Sequence, residues 1–180
     1  MPLTTIARVL AAAGLALAAL IGTTAVPATA AAQDITWYTL VGLGSTKCVD
    51  IRTEDADYGA RAQLWQCYGS ANQRFALRRV GTTPQGRPFF QIINKEAPYL
   101  CLQVRDNSTA NGAQVDQYGC SADTHQYWYW GSPHNGVHLP LVNLNSGKCL
   151  DVNAGAVHNG ARIQQWTCNA TAAQMWRTAQ

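Results

Sequence analysis

The sequence predicts an all-β chain: about twelve short strands, grouped into three disulfide-closed repeats that share one core. Three observations lead there. Six cysteines fall as Cys48 and Cys67, Cys101 and Cys120, Cys149 and Cys168, each pair 19 residues apart. A set of other residues keeps register with those pairs three times over. Beyond residue 34 apolar residues alternate in short runs broken by Gly, Asn, Asp and Ser, and no useful length carries the 3.6-residue period of an amphipathic helix.

The chain opens differently from how it continues. Its first thirty-odd residues hold one charge, Arg8, then an apolar run from Val9 to Ile21, the breaker Pro27, and the small-residue stretches Ala28-Thr29-Ala30 and Ala30-Ala31-Ala32. Basic start, short hydrophobic stretch and small-residue cleavage site follow in the order of a secretory signal peptide. The apolar run covers 13 positions, short of the roughly 20 that a membrane-spanning helix needs. Residues 1–32 are therefore expected to be a signal peptide, cleaved after Ala30 or Ala32. Residues 33–180 are expected to form a single secreted domain with no membrane attachment. Of the 13 basic residues one is Arg8, so 12 stand against 10 acidic residues in the remainder. Arg78-Arg79 is their only adjacent pair, which argues against the clustered basic face of a nucleic-acid binder.

The three repeats cover about residues 36–80, 88–131 and 137–178. In each, a Gly-Ala pair stands 11 and 12 residues after the first cysteine: Gly59-Ala60, Gly112-Ala113 and Gly160-Ala161. An aromatic precedes the second cysteine by two (Trp65, Tyr118, Trp166). A glutamine follows it by six (Gln73, Gln126, Gln174), with another aromatic two further on (Phe75, Trp128, Trp176). The runs Tyr38 to Leu43, Phe89 to Ile93 and Leu139 to Leu144 read as strands, separated by turn clusters such as Gly44-Ser45, Asn111-Gly112 and Asn145-Ser146-Gly147.

An even number of cysteines in an exported chain points to disulfides, although six allow 15 pairings. Equal spacing favours Cys48–Cys67, Cys101–Cys120 and Cys149–Cys168, since one local geometry then serves all copies. Each such loop contributes about 3 kcal/mol in the chain-entropy picture. One repeat is too small to bury its own apolar face, so the three must pack together as one domain.

Cys149-Leu150-Asp151-Val152, Asn159-Gly160-Ala161, Gln164-Gln165-Trp166-Thr167-Cys168 and Gln174-Met175-Trp176 resemble the "QxW" repeat of ricin-B-type lectins, which also occurs in sugar-binding modules of bacterial secreted glycosidases. The resemblance covers about residues 36 to 178. It implies a β-trefoil, and one shallow sugar pocket per repeat. In such a pocket an Asp after the first cysteine accepts hydrogen bonds from two sugar hydroxyls. The aromatic before the second cysteine stacks on the sugar, and an Asn beside the QxW glutamine donates and accepts a further pair. The chemistry suits a sugar, because an ionised carboxylate bonds hydroxyls strongly and a rigid ring offers contact area at little entropic cost.

Carried over by residue, the first repeat has the full set: Asp50, Gln63, Trp65, Asn72 and Gln73. The third has Asp151, Gln164, Trp166 and Gln174, with Ala173 in place of the Asn and Asn169 nearby. The second departs most, having Gln103 for the Asp, Asp116 for the supporting Gln, His125 for the Asn, and Tyr118 as aromatic. The first pocket is expected to bind best, the third more weakly, and the second to be weak, altered or silent. Phe75, Trp128 and Trp176 are expected in the core.

Catalysis is not expected. A glycosidase places two carboxyl groups about 5 to 9 Å apart, whereas Asp50 and Asp151 fall in different repeats. His125, His134, His138 and His158 lack metal spacing such as H-E-x-x-H, no G-x-S-x-G element occurs, and the cysteines are all in the framework. The expectation is a secreted, monomeric carbohydrate-binding protein without metal or cofactor, for a galactose-, mannose- or pentose-type polysaccharide or glycan. The alternative is an interaction protein on the same scaffold, a toxin-accessory subunit or protease inhibitor. It would act through the irregular segments Val80 to Pro88 or Gly131 to Gly136.

Overall fold

The computed structural model describes residues 35–52, 57–132 and 136–180. The expected signal peptide lies outside the described residues, as do 133–135 of the second inter-repeat segment. Twelve strands follow one another: β1 (Thr39–Gly42), β2 (Cys48–Ile51), β3 (Ala62–Trp65), β4 (Phe75–Thr82), β5 (Pro88–Asn94), β6 (Leu100–Val104), β7 (Val115–Gly119), β8 (Tyr127–Trp130), β9 (Leu139–Asn143), β10 (Cys149–Val152), β11 (Ala161–Trp166) and β12 (Met175–Ala179). Every pairing among them is antiparallel.

Six strands run in a ring: β1 pairs β12, β12 pairs β9, β9 pairs β8, β8 pairs β5 and β5 pairs β4. The bridge between Tyr38 and Phe75 returns β4 to the start of β1. The other six form the hairpins β2–β3, β6–β7 and β10–β11. Each hairpin is tied to the ring at its first cysteine, through Val41–Cys48, Ile93–Cys101 and Val142–Cys149. Counted along the ladders, seven strands also close on themselves, β10, β11, β3, β2, β1, β12 and β9. A strand ring closed by three like hairpins is the β-trefoil. It leaves few free edges of the kind that invite aggregation.

The repeated Gly-Ala pairs close the threefold cap. Gly59, Gly112 and Gly160 have φ of 84°, 80° and 82°, left-handed values that cost a side-chain-bearing residue energy. In that conformation each glycine N–H donates to the next repeat, to Gln117 O, Gln165 O and Leu64 O at 2.7 to 2.9 Å. Each hairpin thus locks its neighbour, and the sequence repeat becomes cyclic.

The core follows from strand alternation. Val49 and Ile51, Leu102 and Val104, Leu150 and Val152 face inward with Leu40, Ile92 and Leu141 from the ring. Phe75, Trp128 and Trp176 are wholly buried, and the two indoles donate to Leu102 O and Leu150 O at 3.0 Å. The disulfides join Cys48 to Cys67, Cys101 to Cys120 and Cys149 to Cys168, with Cα separations of 5.1, 5.0 and 5.1 Å. Val80 to Pro88 differs from the irregular connection expected of it. β4 and β5 pair as far as Thr82–Pro88, with a bulge at Arg79–Gly81, and Thr83 N–H closes the turn on Arg87 O at 2.8 Å. Pro88 is tolerated there because it starts its strand.

Candidate functional site

On the hairpins the residues between the inward-facing ones point the other way: Cys48 and Asp50 on β2, Gln63 and Trp65 on β3, and their counterparts in the other repeats. Strand register pairs Asp50 with Gln63, Asp151 with Gln164, and Gln103 with Asp116. Each hairpin therefore lays one acid–amide rung beside one aromatic, and a concavity opens at each of these places.

In the first repeat Asp50, Gln63, Trp65, Tyr68 and Asn72 line a pocket of about 590 Å³, with Gly160 of the third repeat at its edge. Asp50 is 5% exposed. Its Oδ1 accepts from Gln63 Nε2, and its Oδ2 accepts from Asn72 Nδ2 and Gln73 Nε2, all at 2.9 Å. A carboxylate offers about four lone-pair sites, so three are filled and the group is fixed while one acceptor direction remains. Asn72 lines the pocket and is also tied into the protein. Its amide donates to Asp50 and to Ile51 O (2.8 Å), and its oxygen accepts from Ser70 Oγ (2.6 Å). Both its N–H donors are committed to protein groups, so it positions the carboxylate, while its oxygen keeps a lone pair. Gln73 does two jobs, because its Nε2 also donates to Gln66 O and its Oε1 accepts from Tyr68 N–H, both at 2.8 Å.

The third repeat repeats this with one donor fewer. Asp151 accepts from Gln164 (2.9 Å) and Gln174 (3.1 Å), and Ala173 stands at the Asn72 position. Asn169 does not replace the missing amide: its N–H donates to Gln174 Oε1, and its side-chain oxygen accepts from Thr171. Burial raises the Asp151 pKa above the ordinary 3.8, opposed by its bonds from Gln164 and Gln174. The pocket, about 650 Å³, is lined by Asp151, Gln164, Trp166 and Ala173, and Gln174 lies wholly buried behind it. Trp166 is 40% exposed.

The second repeat has the rung reversed. The acid is now on β7 as Asp116, 1% exposed, bonded by Arg105 Nε at 2.5 Å. Burial raises its pKa and the Arg105 bond and charge oppose the rise. Gln103 takes the outer place and its Oε1 meets His125 Nε2 at 3.1 Å and Gln126 Nε2 at 3.2 Å. The pocket is smaller, about 420 Å³, and Tyr118, Asp106, Asp123 and His125 line it.

Sequence reasoning missed the contribution of the neighbouring repeat. The residue before each repeated glycine braces the adjacent aromatic platform. Asn159 Oδ1 accepts from the N–H of Gln66, next to Trp65, at 3.0 Å. Asn111 Oδ1 accepts from Thr167, next to Trp166, at 2.9 Å. In the corresponding place Tyr58 packs its ring at 78° to Tyr118, with centroids 4.9 Å apart. The signal was present as Asn111-Gly112 and Asn159-Gly160 in register, but it read as turn chemistry.

The family model for the ricin-type beta-trefoil lectin domain matches residues 36–176. Among solved structures, the designed threefold-symmetric protein ThreeFoil is 28% identical with a TM-score of 0.74, over 80% of this chain and 98% of its own. The exo-beta-1,3-galactanase 1,3Gal43A from Clostridium thermocellum is 27% identical with the same TM-score, over 82% of this chain but 30% of its own length. The Rhizoctonia solani agglutinin, 17% identical with a TM-score of 0.64 over 82% and 96% of the two chains, shares the fold. No curated protein sequence matches the chain.

Proposed function

The chain belongs to the ricin-type beta-trefoil lectin family, which supports carbohydrate binding, and on that premise we propose that it is a secreted, non-catalytic lectin that engages sugars through the pockets of its first and third repeats. One observation carries this reading: Trp65 and Trp166 each stand beside a nearly buried carboxylate, Asp50 or Asp151, held by side-chain amides. A ring face matches the C–H face of a pyranose, and the carboxylate's remaining acceptor capacity matches its rim hydroxyls.

The first pocket is the stronger, because three amide donors hold Asp50 in place whereas two hold Asp151. A single shallow pocket of this type binds with a Kd of about 1 mM, or about −4 kcal/mol. Two pockets on different hairpins suit a polymer or a glycan-covered surface, where bivalent engagement raises the apparent affinity by about 10² to 10⁴. Asp50 and Asp151 belong to separate pockets, and no hydrolytic role is proposed for them. Residues 1–32 are taken as the export signal and 33–180 as the working domain, a monomer.

The test is a screen of glycans and soluble polysaccharides, beginning with β-1,3-galactan on the strength of the likeness to the galactanase, and including mannose and pentose polymers. Binding to one sugar class that falls at least tenfold in W65A, less in W166A, and nearly vanishes in the double variant supports the reading. A folded, disulfide-intact chain that binds none of them, or binds equally well as W65A/W166A, overturns it.

A further inference from the structure

The three pockets differ in charge, and the difference falls where the sequence motif is most altered. Among the described residues, Asp50 is accompanied by Arg52 in the first, and Asp151 is the single charged lining residue in the third. The second is lined by the exposed carboxylates Asp106 and Asp123, with neither Lys nor Arg among its described lining residues. This negative patch belongs to a chain of formal charge +3, so it is a local feature and not a reflection of overall composition. It also runs counter to what the family motif supplies there, since the motif's own acid has moved to Asp116.

Two further observations give the patch a ligand. Tyr118, 49% exposed, keeps an aromatic face at the pocket, and Tyr58 holds the ring from the neighbouring repeat. Gln103 turns an amide toward the pocket where its counterparts turn a carboxylate. An aromatic face beside carboxylates favours a cation. An ammonium group meets this description, because it carries a full charge and three N–H donors for the carboxylates.

We propose that the second repeat is a pocket for a sugar bearing a protonated amine, such as a glucosamine unit with its nitrogen free. The ring stacks on Tyr118, the ammonium lies against Asp106 and Asp123, and the Gln103 amide meets a ring hydroxyl. Acetylation of the nitrogen removes the charge and two of the three donors, so an N-acetylated sugar loses the feature this pocket recognises. The inference rests on the carbohydrate-binding reading above, but concerns a pocket which that reading leaves unassigned.

The experiment titrates the full chain, isotope-labelled for NMR, with the β-1,4-linked glucosamine trisaccharide and with its fully N-acetylated form, near neutral pH and physiological salt. The free-amine form is expected to bind about tenfold more tightly, on the scale of one cation–π contact and one charge-assisted hydrogen bond, with shifts centred on Tyr118 and Gln103. D106N/D123N and Y118A, which alter exposed side chains, are each expected to remove most of that preference. Neither should change the binding of any neutral glycan that depends on Trp65 or Trp166.

Equal binding of the acetylated form, indifference to D106N/D123N, or equal affinity for spermidine with no effect of Y118A would each overturn the proposal, the last reducing the site to an acidic patch. Failure of the lectin reading is a separate outcome: no neutral glycan binds the Trp65 and Trp166 pockets while the amine trisaccharide still binds at Tyr118.

Discussion

Ala173→Asn restores to the third repeat the amide that Asn72 supplies to the first, and so tests what that amide does. Asn72 donates to Asp50 Oδ2 at 2.9 Å and to Ile51 O at 2.8 Å; the matching acceptors are Asp151 Oδ2 and Val152 O. Ala173 lines the open pocket, so the larger side chain has room. A hydrogen bond to a charged group contributes about 1.5 to 3 kcal/mol, and fixing an Asn side chain costs up to about 1 kcal/mol. The net gain is about 1 kcal/mol, which raises Tm by about 2 to 4 °C for a domain of this size.

The sign with pH follows from the raised Asp151 pKa. The new bond favours the ionised form and draws that pKa down, so its stabilisation is present where Asp151 is ionised and is lost as pH falls through its folded pKa. Urea unfolding of A173N, D151N and the double variant, at neutral pH and at about pH 3, provides the assay. The expected coupling is about 1 kcal/mol at neutral pH and much smaller in acid. The same gain in the D151N background would refute the reasoning, since the amide would then be acting on something other than the carboxylate. Sugar binding at the third pocket should tighten in parallel.

Two further predictions concern the scaffold. C48S/C67S removes a disulfide spanning 19 residues and should cost about 3 kcal/mol in urea unfolding; the equal spans of the other two predict the same cost, and a loss under about 1 kcal/mol for each would contradict the chain-entropy account. Gly160→Ala meets Trp65 at 3.8 Å, ordinary contact, at a φ of +82°. Its cost should therefore be the conformational 1 to 2 kcal/mol, roughly, of a left-handed residue, and an unchanged Tm in thermal unfolding would show that the inter-repeat glycine is dispensable.

Much of the fold was legible because it is written in local spacing. Cysteines 19 residues apart bracket one hairpin, and the aromatic two before the second cysteine sits on the same strand face as the amide that pairs with the acid. Val80 to Pro88 misled because Pro84, Gly86 and Pro88 look like breakers, yet a turn followed by a strand that begins on proline uses the same residues. The braces Asn159–Gln66 and Asn111–Thr167 join residues 93 and 56 positions apart, and nothing in local pattern reveals such partners. The role of Asn72 was hidden for another reason: its residue type permits contact with a ligand or with Asp50, and only geometry shows the bond to Asp50.

The period of two along the hairpins explains how one scaffold holds three unlike pockets. Core positions sit at Val49, Leu102 and Leu150, with Ile51, Val104 and Val152, and all of them are aliphatic. Pocket positions one residue away are Asp50, Gln103 and Asp151, opposite Gln63, Asp116 and Gln164. Apolar packing constrains the first set, whereas the second, also largely buried, is held by hydrogen bonds between its own polar groups. The reversed rung of the second repeat shows what the ladder tolerates on the pocket face: an acid and an amide side by side, in either order. Reversal leaves the ladder intact, yet it moves the acid behind an amide and attaches it to Arg105, so the charge a ligand meets there must come from Asp106 and Asp123. The order of the rung, which the ladder tolerates either way, therefore changes the groups that a ligand would meet, and the pockets differ in residues that lie outside the apolar core.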